Sequence, residues 1–165
     1  MEDTKLKKLL LVIDLQNDFI NEKSRYVVDR INTLIGTNQY SNVVFTKFIN
    51  NTESDWYKKL NYKGCMTPEG QDIPINTSNN LIIEKGIYSA MNNQLCDYLK
   101  ENSIEEIHLC GIDTECCVLK TAFDLFENKY NVKVLKDYCA CTLGEERHNN
   151  ALDIIRRNIG KDNVI

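Results

Sequence analysis

The chain has 165 residues, 42% of them hydrophobic, with 24 acidic against 20 basic side chains and a formal net charge of −4. That length suits one domain, residues 1–165, with a sizeable core, and with only two prolines the composition is that of neither a disordered nor a collagen-like chain. Without an excess of basic charge there is no surface to meet a phosphate backbone, which argues against nucleic acid as a partner.

The opening stretch MEDTKLKKLLLVIDLQNDF places charges before an apolar run. Only residues 9–13 are consecutively apolar before Asp14, and no small-residue cleavage site follows, so no secretory signal is expected. No run approaches the ~18 apolar residues of a membrane span. The expectation is a cytoplasmic protein with no membrane partner. Its seven cysteines, Cys65, Cys96, Cys110, Cys116, Cys117, Cys139 and Cys141, are odd in number and are expected as reduced thiols.

KLLLVID (8–14) is continuously apolar and ends in an acid, as a strand buried on both faces would. In RYVVDRINTLI (25–35) apolar residues recur at helical spacing, and NVVFTKF (42–48) is rich in strand formers. Residues 50–80 are polar and hold both prolines, so they read as a long loop of the kind that lines or covers a site. LIIEK (81–85) is a short strand. Ser89 is the expected cap of a helix running to 101 with Met91, Leu95 and Leu99 inward. A strand over 104–112, a helix from Thr114 to Asn128, a strand over 132–137 and a helix over 145–158 complete the pattern. Strands alternating with helices predict a three-layer αβα sandwich on a mostly parallel, Rossmann-like sheet with right-handed crossovers.

Sites in such sheets form beyond the carboxyl ends of the strands. There the pattern brings Asp14, Lys85 and the turn holding Cys116 and Cys117 to one edge. Singly, each has a plain reading: a loop cap, a solvated strand end, small buried hydrophobes. Jointly they form an acid, an amine and a thiol. A thiolate at a helix N-terminus gains from the helix dipole and from a nearby cation, and a carboxylate beside it can take and return a proton.

The segments VIDLQNDF, EKGIYSAM and CGIDTECCVLKTAFD resemble the three signature segments of the isochorismatase-like cysteine hydrolases, which include nicotinamidases and N-carbamoylsarcosine amidohydrolases. The likeness runs from Leu10 to the last helix, where EERHNNAL also fits. The resemblance implies Cys117 as nucleophile, with Cys116 its neighbour in the pocket, Asp14 as general base and Lys85 as catalytic lysine. It also implies a cis peptide at Ile112–Asp113, an oxyanion hole from the backbone N–H groups of Asp113 and Cys117, and pocket rings at Phe19 and Tyr88. Metal-binding nicotinamidases carry histidines after the second strand, whereas this chain has TKFINNTESDW there. No metal and no cofactor is therefore expected, and nicotinamide is a less favoured substrate. Cys117 points to amide or ureide chemistry on a small molecule. Relatives of this kind are dimers or tetramers, so a homodimer or homotetramer is expected.

Other features admit simpler accounts. Cys139 and Cys141 could join Cys116 and Cys117 around zinc, although C-C and C-x-C lack the usual ligand spacing. His108 reads as a satisfied core residue, and Trp56 as an anchor of the long loop or a pocket wall. Lys58, Lys59 or Lys63 could hold a substrate carboxylate or simply be solvated. A non-catalytic or redox-responsive binding protein on the same scaffold is the alternative function.

Overall fold

A computed structural model describes residues 6–165. The charged start that entered the signal-sequence argument lies partly outside the described residues. Five parallel strands form one sheet: β1 (Lys8–Ile13), β2 (Asn42–Phe48), β3 (Leu81–Lys85), β4 (Glu106–Ile112) and β5 (Val132–Ala140), in the order β3-β2-β1-β4-β5. β1 is central, so residues 9–13 have no solvent exposure on either face, which is why that run carries no alternation. Among the described residues the α-helices α1 (Tyr26–Gly36), α2 (Asp55–Leu60), α3 (Pro68–Gln71), α4 (Asn93–Glu101) and α5 (Leu119–Glu127) lie between strands, and α6 (Glu145–Ile159) follows β5. From β1 the chain winds outward to β2 and β3, then crosses back to β4 on the other side. The carboxyl ends of β1 and β4 therefore flank the point where winding reverses, which is where such sheets open a crevice. Among the described residues no helix is long and apolar enough to cross a membrane.

Several elements differ from expectation. Residues 50–80 hold two short helices, each with a side-chain cap. Ser54 Oγ accepts from Tyr57 N at 3.1 Å, and Thr67 Oγ1 accepts from Gly70 N at 3.2 Å, with Pro68 opening the second helix. The cap of α4 is Asn92, whose Oδ1 accepts from Leu95 N at 2.9 Å; Ser89 instead accepts from Met91 N in a local turn. The segment after β4 opens as a wide π-type turn over Thr114–Val118 before α5 begins. β5 runs on to Ala140 past an irregularity that pairs Leu109 with Val134 but Gly111 with Cys139, so Cys139 lies inside the strand rather than after it.

Gly111 is required where it stands. Its φ is +120°, and a Cβ there would come within 2.0 Å of the Ile13 carbonyl oxygen. The bare glycine lets β4 approach β1 just before both strands deliver their polar residues.

Within β4, toward its amino end, His108 Nε2 lies 2.7 Å from Glu106 Oε1 and Nδ1 lies 2.6 Å from the Tyr40 hydroxyl. The network assigns the proton to Nε2, with Nδ1 accepting from Tyr40. Burial pushes His108 below its ordinary value, against the opposing pull of Glu106. Burial likewise lowers His148, whose Nδ1 is 2.8 Å from Thr114 Oγ1. Burial alone would raise Glu106, but hydrogen bonds from His108 and Lys8 outweigh it and hold the carboxyl below the usual range. The sign follows: below about pH 6.5 the unfolded chain takes protons that the folded histidines resist, so stability falls as pH drops. Glu106 adds a further loss at more acidic pH. Thermal melts should show Tm falling from pH 7 toward 5.5, and the double substitution His108→Gln, His148→Asn should flatten that fall.

Candidate active site

The polar residues of the crevice lie at or near the carboxyl ends of the strands. Asp14 follows β1 in a left-handed conformation (φ 44°), which aspartate tolerates better than most residues. Its carboxylate is fully buried and held from two sides. Lys85 Nζ donates to Oδ2 at 2.6 Å, and the Thr46 hydroxyl donates to Oδ1 at 2.6 Å while accepting from Asp14 N at 3.1 Å. Lys85 ends β3 and also donates to the Ile87 carbonyl at 2.9 Å. Its ammonium lies 3.7 Å from Cys117 Sγ and 5.6 Å from the centre of the Phe48 ring. One buried ammonium thus bridges the carboxylate and the thiol.

Cys117 sits in the π-type turn. The Cys116 and Val118 N–H groups both donate to the Asp113 carbonyl, at 3.2 and 3.1 Å, and the Cys117 amide makes neither bond. The Ile112–Asp113 peptide is cis. The Asp113 carboxylate turns to Thr142, accepting from its backbone N–H and its hydroxyl. Burial raises Asp113 against those two bonds. Burial also pushes the Cys117 thiol well up, and the charge of Asp14 adds to the rise while Lys85 opposes it. The helix-dipole and cation stabilisation expected for a thiolate here is therefore opposed by burial and by the charge of Asp14. The thiol is buried, it faces Asp14, and it lies in a wide turn rather than at the first turn of a regular helix.

Above Cys117 opens a cavity of about 250 Å³. Asp113, Cys116 and Cys117 form its floor, and Phe19, Phe48, Trp56, Leu60, Tyr62 and Tyr88 its walls. Phe19 stacks on Tyr62 with rings 3° apart in angle and 6.2 Å between centres; Trp56 meets Phe48 at 5.3 Å and Tyr88 edge-on at 5.0 Å. Trp56 therefore walls the cavity. Three walls come from residues 50–80, which are pinned to the segment after β1. The Gln16 amide donates to Phe48 O at 3.0 Å and Gln71 O at 3.3 Å, Asn17 donates to Glu69 O at 2.8 Å, and Asp18 accepts from Cys65 N at 2.6 Å. Thr46, Phe48, Leu60 and Tyr62 were not singled out by the sequence. For Thr46 a signal existed: it is a hydroxyl directly after the apolar run Val43–Phe45 and is buried with it.

The four-thiolate alternative is not formed. Cys139 Sγ points to the Leu109 carbonyl and Cys141 Sγ to Glu115 Oε1. Among the described residues no three His, Cys, Asp or Glu side chains are placed to hold one ion. Lys58 and Lys59 are paired with Glu53 and Asp55 on the outer face of α2. Lys63 is exposed and does not line the cavity.

Comparison with known proteins follows the same lines. Residues 8–161 match the family model of the isochorismatase domain. The chain is 28% identical over 154 residues to isochorismatase family protein 1A of Dictyostelium discoideum, covering 84% of this chain and 66% of that one. It thus spans about two thirds of that relative's length. It is 26% identical over 175 residues to an Arabidopsis thaliana protein named a probable inactive nicotinamidase, covering 92% and 88% of the two chains. A solved nicotinamidase from Bacillus subtilis superposes with a TM-score of 0.83 at 27% identity, over 96% of this chain and 99% of that one. With matching sequence segments, sheet topology and three-dimensional course, the chain belongs to the isochorismatase family.

Proposed function

We propose that this chain hydrolyses the C–N bond of a small carboxamide or ureide through a thioester on Cys117. The observation that carries the reading is the Lys85 ammonium bridging the buried Asp14 carboxylate and the Cys117 sulfur. Similarity to the Bacillus subtilis nicotinamidase supports amide chemistry.

In the first half-reaction Cys117 Sγ attacks the carbonyl carbon as Asp14 takes the thiol proton. The negative charge that develops on oxygen is met by the backbone N–H groups of Asp113 and Cys117. Collapse breaks the C–N bond, and Asp14 returns its proton to nitrogen, so ammonia leaves and the acyl group stays on sulfur. In the second half Asp14 takes a proton from water, the hydroxide attacks the thioester, and the sulfur leaves and recovers its proton. Burial raises the thiol, so Asp14 is needed to take its proton. Lys85 fixes the geometry of both partners and offsets the charge on whichever is ionised. No metal or cofactor takes part in this scheme.

Thr46 is a positioning residue for the base. Thr46→Val removes a hydrogen bond to a buried carboxylate, worth about 1.5–3 kcal/mol, and is expected to lower kcat roughly 10- to 150-fold. Steady-state kinetics on the preferred substrate would check this, with KM expected to change little.

The proposal is tested by ammonia release from nicotinamide, benzamide, N-carbamoyl amino acids, maleamate, oxamate, biuret and ureidoacrylate, by wild type and Cys117→Ala in parallel. Release by wild type alone supports the hydrolase. A second reading, a non-catalytic or redox-responsive binding protein, is favoured by likeness to the Arabidopsis relative, whose name marks it inactive. Release from none of these compounds would favour that reading.

A further inference from the structure

We infer that the acyl group this site accepts is uncharged and apolar, a single ring or a short branched chain, and that its substrates are neutral primary amides rather than carboxylate-bearing ureides or amidates. The inference rests on the hydrolase reading for its chemistry, R–CO–NH₂ + H₂O → R–COOH + NH₃, and goes beyond it in naming R.

The cavity walls decide the class. Its aromatic rings leave a slot suited to a flat group, and at about 250 Å³ it falls below the roughly 300–1,000 Å³ of sites for drug-sized ligands. None of the lining residues is a cation. Lys85 sits behind the reacting atoms with its ammonium on Asp14, Ile87 O and Cys117. Arg147, beside the floor, is paired with Glu115 at 3.2 Å. A substrate carboxylate would lose its water here and find no counter-charge. A ring nitrogen finds no histidine or lysine in the lining either, and the Tyr62 hydroxyl is buried beside Gly64 rather than exposed to the cavity. A carbocyclic amide should therefore bind at least as well as its pyridine counterpart.

The chain has a single tryptophan, and Trp56 is a wall of this cavity, so its fluorescence reports occupancy without any reaction. Wild type and Cys117→Ala would be titrated with benzamide, nicotinamide, maleamate and N-carbamoylglycine, and ammonia release by wild type measured on the same four. Benzamide is expected to give a saturable Trp56 response with a Kd at least tenfold below those of maleamate and N-carbamoylglycine, and no weaker than that of nicotinamide. Leu60→Lys sets a cation at the exposed rim and is expected to improve maleamate binding at least tenfold. Maleamate or N-carbamoylglycine binding as tightly as benzamide, or no saturable response to benzamide, overturns the inference. If benzamide binds preferentially yet no compound yields ammonia, the ligand class stands and the hydrolase reading fails. If only the charged compounds yield ammonia, the hydrolase reading stands and the ligand class fails.

Discussion

Lys85→Met is expected to cost about 3–5 kcal/mol of stability, because it strands the Asp14 carboxylate in a site with no exposure and no counter-charge. For a chain of 165 residues that corresponds to a fall in Tm of roughly 6–20 °C. Activity should be lost with it, since the ammonium also lies 3.7 Å from Cys117 Sγ. The double substitution Asp14→Asn, Lys85→Met removes both charges and should recover part of the lost stability but none of the activity. That divergence separates a pair kept for chemistry from one kept for the fold. A Lys85→Met protein that melts within 2 °C of wild type would show that the pair does not carry this energy.

The adjacent cysteines should differ sharply. Cys117→Ala is expected to reduce kcat by at least about 10³-fold, as removal of an attacking nucleophile does in other acyl-transfer enzymes. Cys116→Ala should stay within about tenfold of wild type. Cys116 lines the cavity floor, but Asp14 and Lys85 both act on Cys117 rather than on its neighbour. Circular dichroism and melting curves on both variants would show that the contrast is not one of folding. A Cys116→Ala protein as inactive as Cys117→Ala would mean that the roles of the two thiols are exchanged or shared.

Much of this arrangement is legible before any coordinates. The unbroken run 9–13 ending at Asp14 identifies a central strand, because only a strand covered on both faces carries apolar residues at every position. β2 and β3 fall on the β-branched and aliphatic runs NVVFTKF and LIIEK, and the rule that sites form beyond the carboxyl ends of the strands then brings Asp14, Lys85 and Cys117 together. What escaped local reading depends on distant partners. The helices within 50–80 are one or two turns long, and their capping residues look like ordinary polar loop sequence. The second of them is tied down from another strand's end, by Gln16 and Asn17 on its carbonyls and by Asp18 on the Cys65 amide before it. Ser89 and Asn92 are both good caps, and only the course of the chain chooses Asn92. The wide turn at Thr114–Val118 and the irregularity in β5 are backbone detours that no side-chain periodicity encodes. The thiol's raised position likewise follows from burial, which the sequence pattern did not quantify.

The central claim is that the Cys117 sulfur bonds to the carbonyl carbon of the substrate. An aldehyde analogue of the best amide, labelled with ¹³C at the carbonyl, tests this without depending on how fast the thioester turns over. Wild type is predicted to give a ¹³C signal in the hemithioacetal range, absent with Cys117→Ala, and the aldehyde should inhibit hydrolysis competitively. Competitive inhibition with only the free aldehyde and its hydrate in the spectrum, or an adduct that persists in Cys117→Ala, would contradict it.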